Sequence, residues 1–140
     1  PFAWTPGYRI GDRPEDGERG QIGFMRVCRG EHPLDLYGLD RATFVSLNAR
    51  AMNRTTLENG VAEAVRTGNE VFAIAILTNV KTLGYEMVAG LLRSEPTEAN
   101  VRLVEFLLRQ GVRPGEPTVS ENPAMREFVD NLLDELPLRP

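Results

Sequence analysis

The chain has 140 residues, 41% hydrophobic and 26% charged, a balance that suits a single globular domain with its own core rather than a disordered chain. Its net charge of −4 argues against the clustered basic surface that non-specific nucleic-acid binding needs, and no apolar run approaches the roughly 20 residues that span a bilayer. One cysteine, Cys28, and one histidine, His32, leave no internal disulfide and no four-ligand zinc site, so no metal site is expected.

Residues 1–42 are dense in turn formers, from Pro6-Gly7 through Asp16-Gly17 to Gly38, and are expected to be a loop-rich binding surface. The first residues lack the basic-then-apolar pattern of a signal peptide. Within this part only Tyr8 to Ile10 and Ile22 to Val27 read as short strands. Thr43-Phe44-Val45-Ser46-Leu47 is β-branched and aromatic and also predicts a strand. Thr55-Thr56-Leu57-Glu58 has the capping-box spacing, and Leu57, Val61, Ala64 and Val65 then share one helical face. Thr67-Gly68-Asn69 supplies the stop, because glycine tolerates the left-handed conformation that ends helices.

Glu70 to Val80 is the most hydrophobic stretch. Phe72, Ile74, Ile76, Thr78 and Val80 alternate with the smaller set Val71, Ala73, Ala75, Leu77 and Asn79, and this period of two favours over a helix a buried central strand with Phe72, Ile74 and Ile76 in the core. Tyr85 to Leu92 predicts a helix that Pro96 breaks. Thr97 to Gly111 fits a helix through Val101, Val104, Leu107 and Leu108, but Val101 to Leu107 alternates well enough for a strand. Val112 to Pro123 reads as a proline-rich loop. Asn122-Pro123 has the pattern of an N-cap followed by a first-turn proline, and Phe128, Val129, Leu132, Leu133 and Leu136 mark a final helix.

Two resemblances follow. Val104-Glu105-Phe106-Leu107-Leu108-Arg109-Gln110-Gly111 resembles the second helix of an ankyrin repeat, a helical hairpin of about 33 residues. The Thr-Pro-Leu-His-like opening of that repeat is absent. The second resemblance covers residues 8–117. Tyr8-Arg9-Ile10-Gly11-Asp12-Arg13-Pro14, followed by Gly23-Phe24, resembles the opening of mono-ADP-ribosyltransferases of the cholera/pertussis toxin group. Phe44-Val45-Ser46-Leu47-Asn48 partly matches that family's aromatic-x-Ser-Thr-Ser strand. Glu105, with Gly111-Val112-Arg113-Pro114 after it, sits where the family carries its catalytic glutamate.

The second resemblance implies an α+β fold, a split sheet flanking an NAD-sized cleft, spanning 1–140 as one domain. It implies a secreted bacterial effector or toxin that uses NAD to modify a host protein in the host cytosol. Glu105 would stabilise the oxocarbenium-like transition state, and Ser46 would hold Glu105 and the ribose in register. Arg9, Phe44 and Ser46 would contact NAD, Arg9 gripping its phosphates. Leu103 stands where the arginine-modifying branch has Glu or Gln, which implies altered or lost activity. The residues also admit plainer roles: Arg9 on a strand surface, Ser46 at a strand end, and Glu105 as a solvated helix residue beside Arg102 and Arg109. The alternative function is a non-enzymatic protein–protein interaction module, either an ankyrin-like helical repeat or a pseudoenzyme.

Overall fold

A computed structural model describes residues 17–32, Leu36 and 38–136. Among them every regular element is helical: α1 (Gly17–Cys28), α2 (Arg41–Asn48), a 3₁₀ turn (Ala49–Ala51), α3 (Arg54–Arg66), α4 (Glu70–Asn79), α5 (Leu83–Leu92), α6 (Glu98–Arg109) and α7 (Pro123–Glu135). The expected α+β fold is therefore overturned, and the split sheet with its NAD-sized cleft goes with it. Three expected strands, Ile22 to Val27, Thr43 to Leu47 and Glu70 to Val80, lie in α1, α2 and α4. The loop-rich reading of 1–42 fails where α1 stands. Tyr8 to Ile10 falls outside the described residues.

Capping helps explain why α2 is helical against its local preference, and it also starts α3, α6 and α7. Asp40 accepts the Thr43 amide at 2.8 Å and the Thr43 hydroxyl at 3.0 Å. That satisfies one orphan donor of α2 and starts the helix in a β-branched sequence. Asn53, Thr97 and Asn122 do the same for α3, α6 and α7, accepting the amides of Thr56, Asn100 and Met125. The expected capping box at Thr55 is thus displaced. Asn53 is the cap, and Glu58 pairs with Arg54 at 2.6 Å. The Asn122-Pro123 start of α7 is as expected.

Three helices end in the same way. Gly30, Gly68 and Gly111 have φ of 91°, 78° and 93°. Their amides bond to Val27, Val65 and Leu108, and the following amides of Glu31, Asn69 and Val112 reach back to Arg26, Ala64 and Leu107. Each is a Schellman turn, in which a left-handed residue satisfies the last carbonyls.

The backbone groups into two compact units, one up to Lys81 and one from Thr82. In the first, α1 pairs with α2 and α3 with α4, while α1 packs on α3 and α2 on α4. Two helical hairpins are therefore stacked, first helix on first and second on second. The packing between them is close at Gly60, where an added Cβ would lie 3.2–3.3 Å from Ile76 Cδ1, Cys28 Sγ and Phe24 Cε1. The equivalent turns also meet. A Cβ on Gly30 would lie 2.6 Å from Asn69 Nδ2. Arg29 of the first turn reaches Glu63 of α3 at 3.4 Å. Arg41 donates to the Gly30 and Glu31 carbonyls at 3.1 and 3.3 Å and lies over the Phe72 ring at 5.2 Å. One guanidinium thus closes the α1 terminus and clasps α4.

In the second unit α5, α6 and α7 pack mutually, burying Leu83, Met87, Val88, Leu92, Val104, Leu107, Leu108, Met125 and Val129. The connection between α6 and α7 carries no regular structure but is tied at both ends. Arg113 donates to Leu108 O at 2.8 Å, Arg126 to Gly115 O at 3.3 Å, and Asn122 N to Leu92 O at 2.7 Å.

Candidate interaction surface

The residues proposed for a transferase site fall on three separate parts of the chain. Phe44 is a core side chain of α2, 2% exposed, and Ser46 is half-buried on the same helix in the first unit. Glu105 lies on α6 in the second unit, half-buried, and accepts from Arg109 Nη2 at 2.6 Å and Nε at 3.1 Å. This i,i+4 ion pair on a helix surface is the solvated role the sequence also admitted for Glu105, with Arg109 rather than Arg102 as its partner. Arg102 pairs with Glu98 instead, at 3.6 Å. Arg9 lies outside the described residues. The strands that were to carry Ser46 and line the cleft are absent among the described residues.

The titratable groups that depart from ordinary behaviour are explained by structure. The Thr43 amide and hydroxyl hold the Asp40 carboxyl below its usual range, as expected of a helix cap. Hydrogen bonding from Arg66, with a lesser contribution from Arg29, holds Glu63 down against the opposing effect of burial. Burial pushes the Cys28 thiol up to about 12, so this side chain stays protonated and behaves as a small apolar core residue. His32 is exposed. Among the described residues no group of three His, Cys, Asp or Glu is placed to hold a metal ion, and no single helix is long and apolar enough to cross a membrane.

What the helices do present is apolar surface. Val71 and Ile74 on α4 are 56% and 41% exposed, and Tyr85 on α5 is 55% exposed. Val119, in the tied connection before α7, is fully exposed. Tyr85 is positioned, since a Cβ on Gly115 would lie 2.6 Å from its hydroxyl oxygen. Large exposed apolar side chains, aromatic residues above all, are what protein interfaces use.

Sequence reasoning missed Val71 and Ile74 because it placed them in a strand. A signal was present: α4 is apolar on nearly every side, more than one buried face requires. Charge adds a second asymmetry. In residues 1–81 ten acidic and ten basic residues cancel, so the whole net charge of −4 falls in 82–140. No protein-family model, no curated protein and no solved structure matches this chain.

Proposed function

We propose that this protein is a non-enzymatic protein-binding module built of helical hairpins. The observation that carries the reading is the stacking of equivalent helices, α1 on α3 and α2 on α4, with the Gly30 turn seated on Asn69 of the next turn. A hairpin cannot bury its apolar face alone, and stacking hairpins buries one side while leaving the other for partners. The turn glycines Gly30 and Gly68 stand 38 residues apart, a longer step than the roughly 33 residues of an ankyrin repeat. The resemblance of Val104 to Gly111 to an ankyrin helix is supported at the level of a helix closed by a left-handed glycine.

Tyr85 and Val119 are the anchors, and the acidic balance of 82–140 fits a partner whose facing surface is basic. Photo-crosslinking tests this. A benzophenone amino acid replaces Tyr85, Val119 or, as a control, Glu98 in the full chain, in extracts of cells that make the protein. Discrete products from Tyr85 and Val119, weakened by salt and absent from Glu98, are expected. Release of nicotinamide from NAD by the wild-type protein, or equal crosslinking from all three positions, overturns the reading.

A further inference from the structure

We infer that the outer face of α4 is a self-association surface on which a second copy of this chain docks with its own α4 antiparallel. The inference rests on the reading of the chain as an interaction module and names one of its partners.

The residues of α4 divide into two faces. Phe72, Ala73 and Ile76 point into the first unit and are buried. Val71, Ile74 and Thr78 are exposed, and exposed Lys81 follows just beyond the helix end. Val71, Ile74 and Thr78, spaced three and four residues apart, follow the seam between two helices, and Lys81 follows after the non-helical Val80. Val71 and Ile74 are β-branched, stiff at χ1 and therefore ordered at little further entropic cost when covered. The exposed stripe is continued at its middle by half-buried Ala75, a small residue that allows close approach of a neighbouring helix.

Charge chooses the occupant and its direction. Glu70 is exposed at the N-terminal end of the stripe and Lys81 at the C-terminal end, and neither has an ion-pair partner among the described residues. A second copy laid antiparallel across a two-fold axis beside Ile74 and Ala75 brings Glu70 of each chain to the end that carries Lys81 of the other. It also sets Val71 beside Thr78 and opposes the two helix dipoles. A parallel arrangement puts Glu70 beside Glu70 and Lys81 beside Lys81. The surface is thus complementary to itself in one direction only. A single helix face buries less than a standard stable interface, so the dimer is a weak one that forms with concentration.

Sedimentation velocity of the full chain from about 5 µM to about 1 mM reads the association, a range that brackets weak dimers. Wild type is expected to pass from monomer to dimer across it. Ile74→Asp places two carboxylates at the two-fold axis and should weaken association at least about 10-fold, with unchanged circular dichroism because Ile74 does not face the core. Glu70→Lys and Lys81→Glu should each weaken it, and the double exchange Glu70→Lys/Lys81→Glu should restore it, which a parallel pairing would not show. A chain that stays monomeric throughout, a dimer indifferent to Ile74→Asp, or a double exchange that fails to rescue overturns the inference. The Tyr85 crosslink is read separately: if it persists while self-association fails, only the dimer is lost, and if it fails while the dimer persists, only the foreign partner is lost.

Discussion

Ile74 and Ile76 are two residues apart, and replacing each by alanine distinguishes a helix from a strand at this position. In a strand they would share one face and suffer alike. In α4 they point about 200° apart. Ile76 is fully buried and meets the α3 backbone at Gly60, whereas Ile74 is 41% exposed. Ile76→Ala removes three carbons from a filled core, about 2.4 kcal/mol of transfer free energy at ~0.8 per methylene, and leaves a cavity that brings the total to roughly 3–4 kcal/mol. Ile74→Ala removes the same atoms from a half-solvated face. It should cost under about 1 kcal/mol, since alanine also has the better helix propensity and returns a few tenths. Urea unfolding followed by far-ultraviolet circular dichroism, at about 5 µM to keep the chain monomeric, measures both. The midpoint should fall strongly for Ile76→Ala and little for Ile74→Ala, with the slope unchanged. Equal losses, within about 0.5 kcal/mol, would refute the assignment of α4 and with it the exposed stripe.

The remaining predictions concern packing and pH. Gly60→Val should destabilise by roughly 1–3 kcal/mol in urea, because a β-branched side chain must displace Ile76, Cys28 and Phe24 together; unchanged stability would mean that the two hairpins are not in close contact there. Asp40 has a folded-state pKa held below its unfolded value, so its contribution is present above the unfolded pKa and is lost as pH falls through the lower folded one. Thermal midpoints measured from neutral pH into the acid range should therefore decline less in Asp40→Asn, which retains a cap but cannot titrate, than in wild type.

The sequence was most informative where local signals carried their own geometry. Gly68 ends α3 because no other residue so readily adopts the left-handed turn, and Asn122-Pro123 opens α7 because the cap oxygen and the missing proline amide both suit a first turn. The Leu57, Val61, Ala64 and Val65 face of α3 is buried as its periodicity requires. Tyr85 to Leu92 is helical, and the ambiguity over Thr97 to Gly111 is resolved as the helix α6, capped by Thr97. In α4 the alternation of bulky residues points to a strand, whereas the segment is a helix. Phe72 and Ile76, four residues apart, share a face in a strand and in a helix alike, so the exposure of Ile74 and the burial of Ala73 separate the two readings. Both depend on where α2 and α3 lie. The same holds for α2, where β-branched residues favour extension until Asp40 caps Thr43 and the packing of Phe44 and Val45 decides the outcome. The transferase resemblance rested on the order of weak motifs along the chain. The structure places Glu105 in an ion pair on helix α6 and Phe44 in the core of the first unit, and the sheet that the resemblance implies is absent among the described residues. Propensity and caps act over three or four residues and can be read in order along the chain. Which of two apolar faces becomes the core and which is left outside is settled by contacts between residues distant in sequence, and only the tertiary structure contains them.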